Sequence, residues 1–148
     1  LNPNCLGAQN PAHARLPDVA EIDRLREIAP VSIVSLASEL EGGVDFVRAM
    51  KQRGILTSQA HTAATWEEFC AAKEAGLTHL THFCNQMTRL HHREIGMVGA
   101  GLLDDDVLLE MICDRIHLCP EMIELVFKIK DQRQIMHTAS DRPTDVLR

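Results

Sequence analysis

The chain has 148 residues, a formal net charge of -6 and a sequence pI of about 5.7, which speaks against a non-specific nucleic-acid binder, since such proteins carry a basic surface. Aromatic residues make up 3% of it and tyrosine is absent, so there is no platform for stacking bases and the core must come from Leu, Ile, Val, Met and Ala. No apolar run approaches the roughly 20 residues of a membrane span, and Leu1-Asn2-Pro3-Asn4 has neither the charged nor the apolar region of a signal peptide, so no membrane partner and a cytoplasmic location are expected.

The length suits one domain, residues 1–148, with a real core. The missing initiator Met suggests a processed or partial chain. Five cysteines at irregular spacing, without a CxxC pair, fit reduced and mostly buried thiols.

Helices and strands alternate along the chain. Asp18, with Glu21 three residues on, forms a capping-box-like start to a helix whose Ile22, Leu25 and Ile28 share a face and which Pro30 ends. Residues 31–36 are short, apolar and β-branched, as a buried strand requires. Gly42-Gly43 and Gly54 bracket a second helix lined by Val44, Val47 and Met50. Residues 55–59 predict a second strand, and Thr65 with Glu68 a capping box opening a helix to Gly76. Residues 77–83 predict a third strand and residues 107–113 a fourth, although Leu108, Leu109 and Ile112 would also suit a helix. Pro120 opens a helix carrying Met122, Ile123, Val126 and Ile129, and residues 134–138 predict a fifth strand. Residues 85–101, rich in His, Arg and Gly, form the longest stretch read as irregular. Such a series of βα units builds a parallel sheet, and a long loop at a strand's carboxyl end is where α/β folds place their chemistry.

His61 follows the second strand and His82 closes the third. Neutral imidazoles at adjacent strand ends can hold zinc or another divalent ion, or each can simply bond a backbone carbonyl. His79, three residues before His82, belongs by strand period to the opposite face and is expected to be helix-facing or structural. Asn85 can bond a polar ligand, Arg93 in its Gly-flanked loop can grip an anion or stay solvated, and His117 can polarise a carbonyl or cap a strand. Asp141, after the fifth strand, is a candidate base or an exposed carboxylate. Asp104-Asp105-Asp106 suits a turn, without the spacing of an EF-hand.

Four segments, in order, then become recognisable: Ala60-His61-Thr62-Ala63-Ala64-Thr65, the run from Ala75 to Met87, the run from His91 to Ala100, and Asp114-Arg115-Ile116-His117. Together with Gly7-Ala8-Gln9-Asn10-Pro11 they resemble the N-acetylglucosamine-6-phosphate deacetylase family of the amidohydrolase superfamily, whose pattern reads GHSxAT, ATHLFNAM, REPGxxGA, ADGxH and TDA. The resemblance covers nearly the whole chain. It implies an α/β fold of the (β/α)8 TIM-barrel type, of which only the later βα units, about five strands, are present. It implies metal-assisted hydrolysis of N-acetylglucosamine 6-phosphate to glucosamine 6-phosphate and acetate, with zinc first and iron, manganese, cobalt or nickel as alternatives. By the same resemblance His61 and His82 are metal ligands, Asn85, Gln86 and Arg93 contact the sugar phosphate, His117 contacts the substrate near its acetyl group, and Ala8 and Gln9 occupy a substrate-contacting position.

The chain departs from the pattern at several positions. The family's metal-ligating glutamate falls before Leu1, and its catalytic aspartate aligns with Ala139, leaving Asp141 two residues later as the substitute. Gln9 stands for a histidine, Gln86 for the alanine of NAM and Ile95 for the proline of REPG. A (β/α)8 barrel needs about 250 residues. The expectation is therefore a fragment completed by the remainder of a barrel or by a second copy of itself, or a degenerate relative that only binds sugar phosphate.

Overall fold

The structure, a computed structural model, describes residues 1–137. Five strands, β1 (Ile33–Leu36), β2 (Leu56–Gln59), β3 (His79–Leu80), β4 (Leu108–Met111) and β5 (Ile135–His137), form one parallel sheet in the order β1-β2-β3-β4-β5. Five helices alternate with them: α1 (Val19–Arg26), α2 (Gly43–Gln52), α3 (Trp66–Ala75), α4 (Gly96–Leu103) and α5 (Pro120–Ile129). This is the expected run of βα units in an α/β protein. Helices α1 to α4 pack against one another in chain order.

The expected elements are present, with differences that have local causes. Asp18 caps α1 through the amide of Ala20, but Glu21 pairs with Arg15, so no capping box forms there. Thr65 and Glu68 do form one on α3. The expected third strand, 77–83, shrinks to His79–Leu80, because the chain turns through left-handed backbone at His82 (φ 40°), Cys84 (φ 77°) and Gln86 (φ 53°). Residues 96–101, expected to be irregular, fall instead within α4. It is buried on every side from Gly96 to Leu102, so it has no polar face to supply a helical period. Its Gly101 fits closely over the sheet: a Cβ there would lie 2.5 Å from Phe83 and 2.7 Å from Leu80.

The sheet has two unlike faces. Leu80, Leu109 and Met111 point to the helices and join Val47, Met50, Phe69, Met97 and Val126 in the core. Register sets Ser35, Ser58, His79 and Leu108 side by side on the other face. His79 is therefore buried on the side away from the helices, which corrects the helix-facing expectation; its Nδ1 lies 2.7 Å from the Thr78 hydroxyl. On the same face Thr81 links Ser58 (2.7 Å) and Glu110 (3.0 Å). Ile33, Leu56 and Met136 are exposed.

No disulfide joins the cysteines; Cys5, Cys70, Cys84 and Cys113 are half-buried, while Cys119 is exposed and departs from the expected burial. Burial pushes the Cys84 thiol up to about 12, so it stays protonated and inert. Among the described residues no helix is long and apolar enough to cross a membrane.

Candidate active site

The ends of β2 and β3 bring His61 and His82 together: the ring centroids are 4.7 Å apart and the planes meet at 86°. Both residues have positive φ, 47° and 40°, a conformation that costs a non-glycine residue about 1 kcal/mol or more and persists only where neighbours enforce it. The His61 Nδ1 lies 2.8 Å from the Cys5 carbonyl, so it donates there and leaves Nε2 free. Burial, reinforced by the neighbouring His61, lowers the pKa of His82 and keeps its imidazole neutral. Its Nδ1 is buried and finds no hydrogen-bond partner among the described residues.

Two imidazoles, one fixed through its far nitrogen and one with an orphaned buried nitrogen, suit two corners of a divalent-metal site. Among the described residues no cluster of three or more His, Cys, Asp or Glu side chains converges on such a site.

The other candidate residues lie near the N-terminus and in the segments that follow β3 and β4. Asn85, just beyond His82, donates through Nδ2 to the carbonyls of His82 (3.2 Å) and Phe83 (3.4 Å), bonds that do not use its Oδ1. The Gln86 carbonyl accepts the Thr62 amide at 2.9 Å, tying the β3 loop to the His61 loop. The Gln86 side chain lies against Gly7, the residue that precedes Ala8 and Gln9. Arg93 is exposed at the tip of a turn closed by His91 and Glu94; its Nη1 is 3.2 Å from His92, and it forms no ion pair among the described residues. His117 sits beyond β4 with Nδ1 2.8 Å from Asp114, so its Nε2 is available. Asp104 caps the turn into β4 through the amides of Asp106 and Val107, as expected of that acidic cluster. Asp141 and Ala139 lie outside the described residues.

Sequence reasoning missed two carboxylates. Glu39 accepts four hydrogen bonds, from the Asn2 side chain, Gln59, Thr62 and the Ala63 amide, at 2.7 to 3.0 Å. Glu110 accepts from Thr81 on the helix-free face. For Glu110, period two within the fourth strand was an available signal; for Glu39, one acidic residue in a loop carried none.

A parallel βα sheet with two imidazoles gathered at neighbouring strand ends has the layout of an α/β enzyme whose chemistry sits at the carboxyl edge. Comparison narrows that class, although no protein-family model matches the chain. It is 39% identical over 140 residues to an N-acetylgalactosamine-6-phosphate deacetylase from Escherichia coli O157:H7, covering 93% of this chain and 37% of that protein. The crystal structure of N-acetylglucosamine-6-phosphate deacetylase from Thermotoga maritima matches at 41% identity and a TM-score of 0.83, over 92% of this chain and 37% of that one. The same enzyme from Mycobacterium smegmatis matches at 29% identity and a TM-score of 0.88, over 93% and 37%. The chain is thus a homologue of the N-acetylglucosamine-6-phosphate deacetylases, as its motifs implied, and spans little more than a third of the length of these relatives.

Proposed function

We propose that this chain forms the later βα units of a cytoplasmic, metal-dependent (β/α)8 barrel that removes the acetyl group from an N-acetylated hexosamine 6-phosphate. The observation that carries the proposal is the His61–His82 pair, 4.7 Å apart at adjacent strand ends with a buried, unpartnered Nδ1 on His82. These two side chains would hold a divalent ion, zinc first among iron, manganese, cobalt and nickel. When bound, such an ion activates a water and polarises the acetyl carbonyl.

The chain's own residues position the substrate. Arg93, free of acidic partners among the described residues, offers a planar fork to the phosphate. Asn85 and Gln86, with Ala8 and Gln9 alongside, line the approach from the phosphate to the amide. His117, with Nδ1 committed to Asp114, turns Nε2 toward the acetyl oxygen. Asp141 is the candidate for moving the proton from water to the leaving amine.

A second reading has a specific observation behind it: two of the ligands a metal site needs are here, and the exposed apolar face at Ile33, Leu56 and Met136 would be covered inside a barrel. On this reading the chain only binds sugar phosphate, or acts once a second copy or the remainder of a barrel joins it.

Acetate release from N-acetylglucosamine 6-phosphate and from N-acetylgalactosamine 6-phosphate, with zinc supplied and zinc content measured, tests both readings. Stoichiometric metal and acetate release support the enzyme. Phosphate-sugar binding without either supports the second reading.

A further inference from the structure

Both proposed metal ligands sit in left-handed backbone, and something must hold them there. For His61 the holding groups converge on Glu39, in the loop after β1. Its Oε1 accepts Asn2 Nδ2 and the Ala63 amide, both at 2.8 Å. Its Oε2 accepts Gln59 Nε2 at 3.0 Å and the Thr62 hydroxyl at 2.7 Å. Gln59 and Thr62 are fully buried, so those donors have no water to fall back on. Asn2 closes the knot from the other side, its amide donating to the His61 carbonyl at 2.9 Å. The residues on both sides of His61, and the carbonyl of His61 itself, are thus fixed by one carboxylate and the asparagine it holds.

We propose that Glu39 is a positioning residue that locks the His61 loop in its left-handed turn and so aims the His61 ring at His82. This rests on the reading of these histidines as metal ligands. A carboxylate is required because all four neighbours donate. An amide would turn an NH2 group against two of them, and Gln59 cannot simply flip, since its Oε1 already accepts the Ser38 amide at 3.2 Å.

The test compares the protein with its Glu39→Gln variant by two readouts. Calorimetric titration with zinc should show affinity weakened at least about tenfold, the size of effect seen when a ligand loses its supporting partner. In zinc-free protein, imidazole NMR signals of His61 should change from one Nδ1–H tautomer to an averaged pair, with loss of the ring contact to His82. Asp104→Asn, on the Lys73 side of the fold, should lower stability and leave both readouts unchanged. If Glu39→Gln fails to fold, Thr62→Val, which removes the hydroxyl at constant shape, should give the same shift and Thr62→Ser should restore it. A His61 ring that keeps its tautomer and its contact with His82 in Glu39→Gln, or in Thr62→Val, overturns the proposal. The ring signals need no metal, so wild-type protein that binds no zinc counts against the proposed function while Glu39 is still decided.

Discussion

Asp114 holds His117 at two points: Oδ2 lies 2.8 Å from the ring Nδ1, and Oδ1 accepts the His117 backbone N–H at 2.8 Å. The carboxylate fixes the tautomer and direction of the imidazole together, and leaves Nε2 outside that pair; on the proposed function Nε2 is the nitrogen that meets substrate. Removing it should blunt the chemical step more than binding. For Asp114→Ala we expect kcat for acetate release to fall about 10- to 100-fold with KM little changed, measured by steady-state kinetics. An unaltered kcat would remove the orienting role.

Between these two residues lies Arg115, exposed and at φ 64°, where the family pattern ADGxH has glycine. A side chain there costs about 1 kcal/mol of backbone strain, and no ion pair of Arg115 is seen among the described residues to offset it. Arg115→Gly should stabilise the fold by several tenths to about 1 kcal/mol, less the extra chain entropy of glycine. Chemical denaturation reads the change in midpoint directly.

Gly7 has φ +55° and sits against Gln86, 3.0 Å from where a Cβ would be. Gly7→Ala must therefore strain the backbone and push Gln86 aside. We expect a loss of about 1 kcal/mol in stability and weaker binding of the sugar phosphate, seen in a thermal melt and a ligand titration. Gln86→Ala in the same chain should remove the side-chain clash and leave the backbone strain, so only part of the lost stability returns.

Arg93 can be separated from the catalytic step by its KM. Arg93→Ala should raise KM for the phosphorylated sugar about 10- to 100-fold, the size of one or two hydrogen bonds to a charged group. Arg93→Lys keeps the charge and loses the fork, so it should recover only part of that. Equal KM values in all three proteins would place the phosphate elsewhere.

Acid stability should depend on Asp104. Burial would raise its pKa, but the Lys73 ammonium and the amides of Asp106 and Val107 outweigh burial and lower it below the ordinary 3.8. A lowered carboxylate contributes stability above its unfolded-state pKa and loses it as pH falls through the folded-state value. Denaturation midpoints should therefore drop below about pH 4, and Asp104→Asn should be less stable at neutral pH and show a flatter acid profile. Parallel acid profiles of the two proteins would refute this.

Much of the fold was legible because its signals are local. Glycines bracket α2, a Thr–Glu pair opens α3, Pro120 opens α5, and apolar runs mark the strands. Helix α4 was illegible because Gly96 to Leu102 is apolar on all sides, and a fully buried helix has no amphipathic period to read. β3 was over-extended because the residues that end it, His82, Cys84 and Gln86, take left-handed backbone without being glycine, so composition carries no warning. The His61–His82 pairing could be foreseen from adjacent strand ends. The role of Glu39 could not, because its four donors come from positions 2, 59, 62 and 63, and only folding brings them together.

The strand order β1-β2-β3-β4-β5 has a consequence for how the sheet is made and how it fails. Each strand pairs with its predecessor, so the sheet can be laid down strand by strand during synthesis, without waiting for a distant partner. The same order gives the sheet a seam. β3 is two residues long and is in register with β2 at Ser58–His79 and Gln59–Leu80, with a few more backbone bonds at its ends, from Thr78 to Thr57, Thr81 to Gln59 and Thr62 to Gln86. His61 stands on one side of that seam and His82 on the other. A local opening that breaks these few bonds separates the two imidazoles while the β1–β2 and β4–β5 ladders still stand, so on heating the His61–His82 contact should be lost before the chain unfolds.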